Sequence, residues 1–183
     1  GAKTTASAAQ NQKAISRAIS LASKKGGKVV IPAGTWNTGA IELKSGVNLV
    51  IEEGDTLRFA FEPKLYPLVR TSWEGLACWN YSPCIYAYQA KDIAITGKGT
   101  IDGGGNNDTW WQWNGNPRFG FKAGVTTESQ KLGSRSKLLK QAEDGVAFDE
   151  RKFGMGQGLR PQLINFVRSE RILIKDVKMI NSP

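Results

Sequence analysis

"DIAITGKGTIDGGG", residues 92–105, alternates apolar and polar positions through Ile93 and Ile95, breaks at Gly97, resumes around Ile101 and stops at three glycines. Two strands this short, joined by a corner, read as neither a helix nor one long strand. The phrase also recurs. "AIELKSGVNLVIEEGDTLRF" from Ala40, "CIYAYQAKDIAITGKGTIDG" from Cys84 and "LINFVRSERILIKDVKMINS" from Leu163 can be laid over one another without gaps. This alignment places Ile41, Ile85 and Ile164 together, then Leu49 and Ile51 with Ile93 and Ile95 and with Ile172 and Ile174, then Leu57, Ile101 and Ile180. The first two copies are 44 residues apart, which reads as two coils of about 22 residues each. No Asn-Gly loop joins strands inside the repeats, so antiparallel hairpins are not expected there. Short strands with Gly, Asn, Lys or Asp corners, repeating at this period, describe a parallel β-helix in which each strand pairs with its equivalent one turn away.

The flanking segments fit that fold. Over residues 10–25, Ala14, Ile15, Ala18, Ile19 and Ala22 recur at helical spacing before Gly26 and Gly27, predicting an amphipathic helix. Placed before "KVVIPAG", such a helix suits a cap on the first coil, whose open strand edge otherwise invites association. From Gly104 to about Arg160 the period disappears, and a long excursion from a solenoid builds walls around a binding face. The expected organisation is a single domain over 1–183: a capping segment 1–27, first coils 28–103, an insertion 104–160 and a further coil 161–183.

Lys and Arg outnumber Asp and Glu by 25 to 16, for a net charge of +9. That surplus serves solubility or favours a polyanionic partner, nucleic acid or an acidic polysaccharide. The apolar runs are too short to span a membrane, and the chain opens on Gly1 with no basic and apolar leader. With no His and only Cys78 and Cys84, no metal or other cofactor is expected. The two cysteines are either a small disulfide loop or a buried Cys84 beside a free Cys78.

In order along the chain, "GAK" and its helix, "GGKVVIPAGTWNTGAIELKSGVNLVIEEGDTL", "YSPCIYAYQAKDIAITGKGTIDGGG…WW" and "LRPQLINFVRSERILIKDVKMINSP" resemble the polygalacturonases, family 28 of the glycoside hydrolases. The resemblance covers nearly the whole chain, least of all its insertion. It implies an all-β, right-handed parallel β-helix, hydrolysis of α-1,4-galacturonosyl links in pectin, usually with inversion, and a secreted or periplasmic location. "RPQLI" with "NSP" is most similar to bacterial exo-acting or rhamnogalacturonan-directed members. In that family the catalytic groups, an Asn-Thr-Asp motif, an Asp-Asp pair, a Gly-His-Gly motif and an Arg-x-Lys motif, follow the "NSP" segment, on which this chain ends. Inverting hydrolysis needs two carboxyl groups roughly 6.5–9.5 Å apart. Here Asp55, Asp92, Asp102, Asp108, Asp144, Asp149 and Asp176 occur singly.

The expectation is therefore the amino-terminal half of a pectin-degrading hydrolase, inactive alone, with acidic polysaccharide as partner, neither nucleic acid nor membrane, and the missing carboxy-terminal half as a second chain. A non-catalytic polysaccharide-binding or adhesion module is the alternative; a lyase would want clustered acids for Ca²⁺. Two substrate-binding candidates stand out. Arg160, fixed by Pro161 where the insertion rejoins the stack, suits a bidentate grip on a uronate carboxylate or a structural ion pair. Of Trp110, Trp111 and Trp113, anchors for the insertion or a stacking wall for sugar, Trp113 is expected to be the exposed one. Asp92 and Asp176 are expected at solvated corners, and Asn48 and Asn181 as structural corner residues.

Overall fold

Val47, Leu49 and Ile51 alternate with Asn48 and Val50, and all three point into a dry interior with no exposed surface. The same alternation repeats along a stack, which the computed structural model describes for residues 1–183. One parallel sheet contains β1 (Gly27–Ile31), β4 (Val47–Ile51), β9 (Lys91–Gly97) and β12 (Glu170–Lys175), in that order. A second contains β2 (Gly34–Thr38), β5 (Asp55–Phe59), β10 (Thr100–Asp102) and β13 (Lys178–Ile180). A third contains β3 (Ile41–Glu42), β8 (Ile85–Tyr88) and β11 (Ile164–Val167). The chain visits the three sheets in turn, so each circuit is one coil of a parallel β-solenoid. Burying the inward rows of Ile, Leu and Val is the main driving force.

Two features of the stack differ from the sequence expectation. Gly27 pairs with Val47, so the first coil is 20 residues long. The 44-residue spacing of Ile41 and Ile85 is not two coils. It is one coil plus an antiparallel hairpin, β6 (Leu68–Trp73) and β7 (Leu76–Tyr81). The two-residue turn that closes it is Glu74 and Gly75, with φ of 45° and 83°, the left-handed pair a type I′ hairpin requires. Glu-Gly is a less obvious spelling of that turn than Asn-Gly, and the hairpin falls outside the repeats.

The register also departs from a gapless overlay. Leu49 pairs with Ile95, not Ile93, a slip of two residues that leaves every side chain on its expected face. Ile101 pairs with Met179, and Ile180 lies beside Asp102. That slip of one residue exchanges faces, making Met179 the inward residue.

Close approach between coils explains the glycines that opened the sequence reading. A Cβ on Gly97, at φ 120°, would stand 1.9 Å from the Ile51 carbonyl oxygen of the coil before. At the exit from β10, a Cβ on Gly104 would meet the Phe59 carbonyl oxygen at 2.3 Å, and one on Gly105 the Ser182 carbonyl oxygen at 2.3 Å. The chain leaves the stack squeezed between the coils on either side, where only glycine fits.

The amino-terminal helix α1 (Ala8–Ala22) starts at a capping box in which the Ser7 hydroxyl accepts from Gln10 N–H and the Gln10 side chain accepts from Ser7 N–H. Lys24 and Lys25 lie outside it, in the turn before β1. Ile15 and Ile19 are buried in the same core as Val29, Ile41 and Val47. The buried Asn11 donates to the carbonyls of Lys3 and Asn37, and Gln12 donates to those of Ala40 and Leu65. These bonds tie the helix to the first two coils.

The insertion has its own small core. Leu138 of α2 (Ser134–Glu143) packs with Phe153 and Leu159 against Trp73 and Cys78 of the hairpin. Trp79 exchanges backbone bonds with the insertion: its N–H donates to the Arg151 carbonyl, and its carbonyl accepts from Phe153 N–H. Hairpin and insertion together lie over the outward side of the third sheet, where Tyr86 is buried and its hydroxyl donates to the Arg70 carbonyl at 2.6 Å. Cys78 and Cys84 are both buried free thiols. Asp176 falls between β12 and β13 with φ of 66° and Asn181 directly after β13 with φ of 50°, whereas Asp92, at φ 55°, is the second residue of β9. Asn48 instead lies within β4, its side-chain oxygen accepting from the Thr96 hydroxyl one coil on.

Candidate functional site

The insertion leaves the second sheet at the glycine run, turns through a short 3-10 helix at Trp110–Asn114 and returns to the third sheet at Arg160. The three tryptophans of that helix fall on different sides. Trp110 and Trp113 point inward and stack edge-on with ring centres 5.1 Å apart. Phe61 and Tyr81 complete the cluster around Trp113. Trp113 is 4 % exposed, so it is not the exposed member of the three and cannot wall a sugar site. Its indole area is spent anchoring the insertion on the solenoid, as an aromatic of that size does when apolar partners surround it.

Trp111 is the half-exposed indole. Its Nε1–H donates to the Ser182 carbonyl at 2.8 Å, which fixes the ring across the gap between the insertion and the fourth coil. Sequence reasoning chose the wrong neighbour because a 3-10 turn brings i and i+3 together. Trp110 and Trp113 therefore share the buried side and Trp111 faces outward.

Trp111 lines two adjoining clefts. One, of about 220 Å³, is formed with Asn114, Phe119 and Arg160. Arg160 takes part in no ion pair, and its Nε–H is buried without a hydrogen-bond partner. Burial pulls its pKa below the ordinary value, opposed by the charge of Glu74, and a guanidinium remains charged under those conditions. A half-buried cation without a counter-ion, beside two aromatic faces, is complementary to an anion carried on an apolar ring. The structural ion pair considered for Arg160 is not formed.

The other cleft, of about 450 Å³, lies where the second sheet turns toward the third, between Ala60, Phe61, Gly104, Gly105, Asn106 and Trp111. Its floor is a charged network. Asp102 Oδ2 accepts from Arg58 Nε at 2.9 Å, and Oδ1 accepts from Gly104 N–H and Asn181 Nδ2, both at 3.0 Å. Burial raises the pKa of Asp102, but the Gly104 N–H, the Asn181 amide and Arg58 together outweigh it and hold the carboxyl below its ordinary value. Asp102 is thus a fixed carboxylate, and nothing in its sequence neighbourhood pointed to its two side-chain partners, which come from coils 44 and 79 residues away.

The remaining acids are dispersed. Asp92 accepts from Nε and Nη2 of Arg171 at 2.5 and 2.8 Å, and Asp149 is held by Arg70 and Asp144 by Lys140. No cluster of three metal-ligating side chains forms, and no helix is long and apolar enough to cross a membrane.

No family model matches the chain. It is 30% identical over 107 residues to a probable polygalacturonase of Vitis vinifera, covering 55% of this chain and 21% of that one. All of it superposes on the hyperthermoactive exopolygalacturonase of Thermotoga maritima, with a TM-score of 0.89 and 36% identity, and it covers 40% of that enzyme. The Yersinia enterocolitica family 28 exopolygalacturonase shares the fold over the whole chain, with a TM-score of 0.64, 23% identity and 34% of its length covered. The chain thus spans less than half the length of these relatives.

Proposed function

We propose that this chain is the amino-terminal part of an exo-acting pectin hydrolase of the polygalacturonase family, to whose members it is similar. In this reading it supplies the closed end of the substrate cleft and half of the sugar contacts, not the acid and base. The observation that carries it is the hairpin and insertion lying over the third sheet, with Tyr86 buried beneath them. A groove along that sheet would be blocked on this side, so a polymer chain would enter by its end. Arg160, unpaired beside Trp111 and Phe119, would receive a galacturonate carboxylate, and the net charge of +9 would draw in the polyanion.

The catalytic pair would come from elsewhere in the protein. Asp92, Asp102, Asp144 and Asp149 are each committed to a cation of this chain, whereas inverting hydrolysis needs one carboxyl free to give a proton and a second free to activate water. The inward residues of the fourth coil, Ile172, Ile174 and Met179, are 40–42 % exposed, although Ile93, Ile95 and Ile101, on which they stack, are buried. A further coil, in the same chain or in a second one, would cover them. The location that follows is extracellular or periplasmic, where pectin is.

The test is a paired assay on the isolated chain. It should bind polygalacturonate in a salt-sensitive way, weaken when Arg160 is changed to Gln, and release no galacturonate. Galacturonate release by the chain alone would overturn the division of labour. Indifference to polygalacturonate at low salt would overturn the substrate assignment and favour a binding module of other specificity.

A further inference from the structure

The cleft on the other side of Trp111 has no role in that reading, yet its walls are built more rigidly than those of the Arg160 cleft. Arg58 leaves half of its side chain in water, and its Nε is its one nitrogen with a partner. That partner, Asp102, is 5 % exposed and is itself held by Gly104 N–H and the Asn181 amide. The guanidinium is thus held by a fixed carboxylate, its two terminal nitrogens have no hydrogen-bond partner, and Arg58 lines the cleft. Trp111 is fixed through Ser182. Thr109 is fixed as well, its hydroxyl donating to the Gly104 carbonyl at 2.7 Å and accepting from Asn106 N–H at 2.8 Å. Phe61 supplies a second apolar wall and packs edge-on against Trp110 at 4.8 Å.

We infer that this cleft is a second uronate subsite, in which Arg58 receives a carboxylate on its free guanidinium edge and the sugar ring lies against Trp111. The inference rests on the acidic-polysaccharide reading above. Its chemistry follows from the parts. The Arg58–Asp102 pair is close to neutral overall, so it does not attract anions at long range. It offers instead two parallel N–H donors in fixed positions, the arrangement that a planar carboxylate matches and a hydroxyl group does not. Little side-chain entropy remains to be lost, because the fork is already held. The volume of about 450 Å³ is that of a small-ligand cleft, and Trp111 is common to both clefts, so one polysaccharide strand can pass over the indole from Arg160 to Arg58.

The experiment is a titration of the ¹⁵N-labelled chain with the galacturonate disaccharide, following the Arg58 Nε–H and the Trp111 indole N–H, with the neutral galactose disaccharide as control. Both resonances should shift with the acidic sugar and not with the neutral one. Arg58→Gln should weaken binding by about tenfold, and Arg58→Lys, which keeps the charge and loses the fork, should fall between. Shifts confined to the Arg160 side, with affinity unchanged in Arg58→Gln, would overturn this inference and leave the proposed function standing. Equal response to the neutral sugar would overturn the carboxylate assignment, and absence of any response would overturn both readings. Should Arg58→Gln fail to fold, the shift map of the unaltered chain decides alone.

Discussion

Asp55 opens β5 in the turn after Glu52, Glu53 and Gly54, and it is 2 % exposed with neither carboxyl oxygen in hydrogen-bond geometry with a partner. Burial pushes its pKa from 3.8 up to about 7, with Glu52 adding in the same direction and the Thr56 backbone N–H offering partial relief. The folded protein therefore holds this proton more tightly than the unfolded chain. Stability from this group is fully present below pH 4, falls as pH rises toward 7 and is flat beyond. A span of about three pH units corresponds to about 4 kcal/mol for a carboxyl wholly removed from water. The turn that carries Asp55 is exposed at Glu52, Glu53 and Gly54, so screening there reduces the expected penalty to about 2 kcal/mol at pH 8. Replacing Asp55 by Asn keeps the shape and removes the charge. The variant should gain about 2 kcal/mol over the unaltered chain at pH 8 and nothing at pH 4. Urea unfolding followed by tryptophan fluorescence at pH 4, 6 and 8 measures the difference, with an unchanged m-value as the check that the unfolded states match. A gain of equal size at pH 4 and pH 8, or a loss at pH 8, would refute the argument that ionisation of Asp55 is what the fold opposes.

Three further outcomes are expected. Trp113→Ala should cost about 3–5 kcal/mol by opening a cavity against Trp110, Phe61 and Tyr81, whereas Trp111→Ala should cost less than half of that and lower sugar affinity instead; comparing their unfolding curves with their binding isotherms separates anchor from wall. Gly97→Ala should abolish soluble folded protein, because its Cβ would meet the Ile51 carbonyl oxygen, which is backbone and cannot yield; a normal circular-dichroism melt for that variant would contradict the stacking register. Burial raises the Cys78 thiol to about 11 and Cys84 higher still, so alkylation at pH 8 should be negligible in the folded chain and rapid in urea. Fast labelling of either thiol without denaturant would count against the packing beneath the hairpin.

The sequence alone determined the kind of fold, because a solenoid writes its period into the chain. Inward Ile, Leu and Val at alternate positions, glycines and polar corners between them, and an amphipathic helix ahead of them are all local signals. It determined also that the aspartates occur singly along the chain and that the period breaks between Gly104 and Arg160. What it could not determine was which partner each residue meets across coils. The β4–β9 slip of two residues and the β10–β13 slip of one depend on how corners of unequal length close, which the gapless overlay hides. The outward turn of Trp111 depends on a 3-10 geometry set by the packing of Trp110 and Trp113 under the insertion. Arg58, Asp102 and Asn181 lie 44 and 79 residues apart along the chain and within hydrogen-bond reach in space. In a solenoid the neighbour that matters is one turn away, so side-chain chemistry is assembled by stacking register, and only the tertiary structure fixes it.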